Sequence, residues 1–302
     1  MRRLISTAAA IVLASTAAQG QENTPLFKED AIDPRNPAVL HDSKTYVVPY
    51  VQVLASTDGD MWSDAGSARM HAKFYNYGID KATMQDLAKQ LHADLVSKLK
   101  ALGITVLTYD DVKDTDTMKG ADRRTPDKDP QYDGMNTTQW RGAGPHYVIA
   151  TDRDEDNIKP ALQGIAWGLR GIAKDKDAIV LVPEYWFGMP VASSEQQTGA
   201  FMDQAGVYVV PGMRLIMANA QFINNRGRGG AVQIKWPHKV SDNIGTVSKG
   251  EMETASYAGV KRGTQDYAIR IDKERFRAAI MRGGAAFNDV LIDQVKKSMA
   301  DK

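Results

Sequence analysis

Two periods alternate along the chain. Across residues 68–75 the apolar Ala68, Met70, Ala72 and Phe74 interleave with Arg69, His71, Lys73 and Tyr75, the period-two signature of a half-buried strand. A period of three to four then takes over. Met84, Leu87, Leu91, Leu95, Leu99 and Leu102 predict a long helix, opened by Asp80 as N-cap and closed by Gly103. Residues 104–109 return to strand, so 68–109 reads as a strand–helix–strand unit with its helix packed directly on the sheet. Upstream, residues 46–55 are rich in Val and Tyr and read as a strand. Pro49 marks an edge or bulge there, because it has no N–H for a ladder, and residues 57–66 read as a loop.

Downstream, residues 110–144 are charged and aperiodic and predict a long loop. A short strand over 147–151 and a helix over 160–173 follow, with Leu162, Ile165, Leu169 and Ile172 on one stripe. Residues 178–187 predict a strand, 194–204 a helical or irregular piece, and 207–210, 213–223 and 232–236 three strands, the last two separated by a glycine-rich hairpin tip. Residues 237–264 are polar and poorly periodic. A final strand over 267–271 leads to a long amphipathic helix over 273–300, expected to kink at Gly283-Gly284. The fold class expected is α/β (α+β), a largely antiparallel sheet with amphipathic helices packed on it. No internal repeat or dividing linker is evident, so residues 45–302 read as a single domain.

The first 44 residues follow neither period. Arg2 and Arg3, an apolar run over 4–14 and the small residues Ala18 and Gly20 make the three parts of a cleavable export signal over 1–20. A run of eleven residues rises only about 16 Å as a helix, roughly half a bilayer core, which argues against a membrane anchor. Residues 21–44 read as a flexible leader. Of 38 basic residues two lie in the signal, leaving 36 against 37 acidic ones. That balance argues against a nucleic-acid or anionic-membrane binder. There is no cysteine, which excludes disulfides, a thiol nucleophile and thiolate metal sites. The expected location is periplasmic or secreted, with no membrane span once the signal is removed.

The strand–helix–strand unit ending in "LKALGITVL", the late hairpin "GMRLIMANAQFINNRGRGGAVQIKW" and the C-terminal amphipathic helix together resemble the periplasmic part of the curli-secretion lipoprotein family. The resemblance lies in the order of elements over roughly residues 46–300, and it implies the fold alone. The family's lipidated cysteine and membrane strands have no counterpart here, so its pore formation is not carried over.

No catalytic motif stands out. The chain has no H-E-x-x-H, no G-x-S-x-G elbow, no phosphate-binding loop and no dinucleotide fingerprint. Its five histidines have no metal-ligand spacing, and His92 reads as a surface residue on the polar side of its helix. Asp152, Asp154 and Asp156 imitate the start of a calcium loop, but Asn157 and Gln163 stand where that loop needs glycine and glutamate. Neither a metal nor a cofactor is expected.

The candidate binding residues are Arg69, His71 and Lys73 on one strand face, Trp140 and Arg141 in the long loop, Tyr185 and Trp186 at a strand end, and Arg226 and Arg228 at the hairpin tip. The primary expectation is a non-enzymatic envelope protein that binds a protein partner or an apolar ligand. Two alternatives stand beside it: an exported hydrolase assembled from dispersed groups such as His71, His146, Asp152 and Asp154, and a subunit of an envelope assembly.

Overall fold

The computed structural model describes residues 25–56, 58–122, 146–150, 165–197, 204–257 and 260–301. The strands β1 (Ile32–Arg35), β2 (Thr45–Val47) and β3 (Gln52–Ser56) precede β4 (Asp58–Ala65), β5 (Ala68–Tyr77) and the helix α1 (Lys81–Ala101). Next come β6 (Thr105–Leu107), α2 (Tyr109–Val112), α3 (Asp116–Asp122), β7 (His146–Ala150), α4 (Ile165–Gly168), α5 (Arg170–Asp175) and β8 (Ile179–Gly188). The chain continues through β9 (Val191–Gln197), β10 (Gln204–Val210), β11 (Met213–Ile223), β12 (Gly229–Ile234) and β13 (His238–Ser241). It ends with β14 (Gly245–Tyr257), β15 (Val260–Ile271) and α6 (Lys273–Ala300).

Nine strands form the main sheet, in the order β1-β12-β11-β8-β2-β6, with β3 also on β8, β7 outside β3, and β13 on β11. A second sheet runs β14-β15-β5-β4, and β9 pairs with β10. Pairing is mostly antiparallel; β8 with β2 and β3, β2 with β6, and β5 with β15 are the parallel pairs. The expected α/β class with a largely antiparallel sheet is what the molecule shows. Proline punctuates the middle of the main sheet. Pro49 lies between β2 and β3, and Pro183 of β8 falls between the partners of those two strands, Val47↔Val180 and Gln52↔Glu184. A residue without an N–H is tolerated in a central strand where the neighbouring ladder is already interrupted.

The two faces of the main sheet are covered differently. One carries α1 and α6, whose apolar stripes bury Leu87, Leu91, Leu95, Phe276, Phe287 and Leu291 against Tyr46, Val53, Tyr185 and Phe187. A polar link crosses this core. The Tyr185 hydroxyl donates to Asn288 Oδ1, and Asn288 Nδ2 donates to Leu91 O at 3.1 Å and to Asp94 Oδ2 at 2.8 Å. The expected kink in α6 gives way to an unbroken helix, because Gly283 and Gly284 serve close approach. A Cβ on Gly284 would stand 2.5 Å from Leu91 Cδ2, and one on Gly283 2.9 Å from Phe187 Cε1. The opposite face is covered at one end by α2–α5, where Val112, Met118, Leu169 and Ile172 pack on Val47, Val180, Val182 and Ile223.

Further expectations change. The loop expected over 57–66 is the strand β4, and the helical or irregular piece expected over 194–204 begins and ends in the paired strands β9 and β10. The unit over 68–109 does not belong to one sheet: β5 lies in the four-stranded sheet and β6 in the main one, so α1 bridges the two. Its counterpart is β15, which runs parallel beside β5 and hands over to α6 as β5 hands over to α1. Asp80 and Asp272 cap the two helices, accepting from Thr83 N at 2.7 Å and Arg275 N at 3.1 Å, and Lys273 Nζ lies 2.7 Å from Asp80 Oδ2.

Residues 25–44, expected as a flexible leader, are instead part of the fold. β1 pairs with β12, Phe27 packs edge-on against His238 at 4.8 Å, and Val39 and Leu40 are buried in the main core. A few apolar side chains without a period are enough when each finds a prepared site. Finally, the loop expected over 110–144 begins with α2 and α3, and its remainder up to 144 lies outside the described residues, as do residues 1–24. No helix among the described residues is long and apolar enough to cross a membrane.

Candidate functional site

Beyond the part covered by α2–α5, the second face of the main sheet changes character. Because side chains alternate, β8 presents Val180, Val182, Glu184 and Trp186 to this face, and Tyr185 and Phe187 to the other. Register then builds a polar row across the strands: Gln52 of β3, Glu184 of β8, Asn219 of β11, Gln233 of β12 and Asp33 of β1. The outer half of the row closes on itself. Gln233 Nε2 donates to Asp33 Oδ2 at 3.0 Å, and Arg35 Nε donates to the same oxygen at 2.9 Å.

The inner half does not. Glu184 is 4% exposed, and Glu184 Oε1 and Asn219 Oδ1 are shut off from solvent without a hydrogen-bond partner. Buried polar atoms are nearly always paired, and here two open acceptors stand on neighbouring strands, one of them a carboxyl oxygen. Burial pushes the Glu184 carboxyl up to about 8, which leaves it protonated and neutral at pH 7. One step along the strands the surface turns apolar again, where Trp186, Leu54, Ile216 and Met217 form their own small cluster. Gly188 makes room for it, since a Cβ there would stand 2.0 Å from Ile216 Cδ1.

The sequence-predicted residues fall in different places. Tyr185 and Trp186 do not share a pocket: Tyr185 is buried under α1 and α6, where burial pushes its phenol up, while Trp186 flanks the polar row. Arg69, His71 and Lys73 do share the outer face of β5. Two of them face carboxylates on β4, however, Arg69 Nε at 3.0 Å from Asp64 Oδ2 and His71 Nε2 at 2.9 Å from Asp60 Oδ2. The His71 ring also stacks on Trp62, with 3.8 Å between centroids and 6° between planes.

At the hairpin tip, Asn224 Oδ1 accepts from the backbone N–H of Arg226 and Arg228 at 3.1 and 2.8 Å, and the Arg228 guanidinium lies 3.8 Å from Asp42. Trp140 and Arg141 lie outside the described residues, as do Asp152, Asp154 and Asp156. His92 is not a surface residue: it is buried, with Nε2 2.8 Å from the Val48 carbonyl. Among the described residues no group of three or more His, Asp or Glu is placed to hold a metal ion. Glu184 is not among the residues that the sequence singled out. A lone carboxylate amid ten buried positions was the signal that marked it.

No protein-family model, no curated protein and no solved structure matches this chain.

Proposed function

We propose that the chain is an exported, periplasmic or secreted binding protein without catalysis of its own, which seats an apolar ligand on the second face of the main sheet beside Trp186. The observation that carries this reading is the separate cluster of Trp186, Leu54, Ile216 and Met217, which lies across the sheet from the main core and abuts a polar row with open acceptors. An apolar patch with a few convergent polar groups is the usual composition of a small-molecule site. The export signal supports the location, and the absence of a catalytic motif supports binding over chemistry. Of the residues named for a hydrolase, His71 is engaged by Asp60 and Trp62 on the outer face of the other sheet.

The test is a titration with N-phenyl-1-naphthylamine, a neutral apolar dye that brightens in a dry site. Saturable brightening is expected, and Met217→Asp should abolish it while the melting transition survives. A linear, unsaturable signal from the native protein would overturn the reading. A protein partner is a second reading, favoured by Trp62, Tyr75 and Tyr77, which stand exposed on one face of the four-stranded sheet. Native mass measurements in envelope extract, with and without Trp62→Ala, separate the two.

A further inference from the structure

We propose that the ligand of this face carries a primary ammonium group and that Glu184 is its anchor. The inference rests on the binding reading above and adds the chemical class of the ligand.

Three observations carry it. First, Glu184 Oε1 and Asn219 Oδ1 are buried without a hydrogen-bond partner and belong to residues directly paired across β8 and β11. The neutral carboxyl brings a single O–H to this pair, and on ionising it leaves acceptors only, which an ammonium head with three N–H groups is built to fill. Second, the row contains no cation that already serves Glu184. Its cross-strand neighbours are the amides Gln52 and Asn219, and Glu184 forms no ion pair among the described residues. Among the described residues the other charged groups on this face are Asp33 and Arg35, bonded to each other, and Arg214, in register with Gly188. The outer half of the row therefore shows what a satisfied carboxylate looks like here, and Glu184 has no such cation beside it among the described residues. Third, Trp186 follows Glu184 by two residues on the same face, which sets an indole beside the carboxyl for the cation or for the apolar body attached to it.

The proton balance follows. With no cation beside it Glu184 is protonated, because burial penalises the charged form. When R–NH₃⁺ docks, the carboxyl ionises and its proton leaves to solvent, so the buried charge is created only as its partner arrives. Below the carboxyl's titration range affinity rises about tenfold per pH unit, since one proton is released per ligand bound.

Calorimetry of the whole mature protein with 2-phenylethylammonium and its isostere 2-phenylethanol tests this. The ammonium compound is expected to bind roughly ten- to a hundred-fold tighter than the alcohol, the increment for a charge-assisted hydrogen bond. Near one proton should be released at pH 7, read from titrations in buffers of different ionisation enthalpy. In Glu184→Gln the preference for ammonium over alcohol should collapse. Equal affinity of the two compounds for the native protein, or binding without proton release, overturns the inference. If the naphthylamine dye binds saturably in that case, the apolar-site reading stands and only the ammonium assignment falls. If the dye does not bind either, both fall.

Discussion

Glu184 is a carboxyl whose folded environment holds a proton that the unfolded chain would give up. Its folded value is raised, so its contribution favours the native state below the ordinary carboxylate range and is lost progressively as pH rises from about 4.5 through about 8. The swing is on the order of 5 kcal/mol. Urea unfolding at pH 5, 6.5 and 8.5 should show native stability falling across that range, and Glu184→Gln, which keeps the shape and removes the titration, should flatten the slope. An unchanged slope in the variant would place the carboxyl in contact with water. At this scale the sequence was partly legible. The alternation over 68–75 correctly separated Ala72 and Phe74 from His71 and Lys73, and the same period applied to Tyr185 and Trp186 would have sent them to opposite faces. What periodicity does not contain is the cross-strand register, and Glu184 becomes conspicuous only once Gln52 and Asn219 stand on either side of it.

The elements best anticipated were those in which local and tertiary demands agree. α1 and α6 each combine an aspartate N-cap with an apolar stripe; α1 begins after the cap read from sequence, and α6 spans the 273–300 expected from its stripe. β4, β14 and the first half of β15 were missed, because Asp, Gly, Ser and Lys fill their positions and one face of their sheet stands open to solvent. Their strand character comes from pairing, not from propensity. Glycine shows the same dependence on context. Gly168→Ala, where a Cβ meets nothing within 4 Å, should stabilise by roughly 0.5–1 kcal/mol, since alanine restricts the unfolded chain. Gly284→Val, driven into the fully buried Leu91, should destabilise by about 1–3 kcal/mol. Thermal melts of the two variants should therefore move in opposite directions, and a shared direction would contradict the close contact between α1 and α6.

At the scale of the whole molecule, the N-terminal segment is a structural member. Cutting the chain after residue 44 instead of after residue 24 would remove Phe27, Val39 and Leu40 from the core, each worth roughly 1.5–3 kcal/mol. The edge of β12 would be bared as well. The shorter protein should melt ~10 °C or more below the longer one. Coincident transitions would mean that this segment is dispensable. The parallel pair β5 and β15 has a mechanical meaning of a different kind. Each strand runs straight into a long helix, and the helix starts are tied by Lys273 and Asp80. A tug on the far ends of the four-stranded sheet would therefore be shared between two shafts driven side by side into the main core. Prising either one loose would mean dragging its twin along.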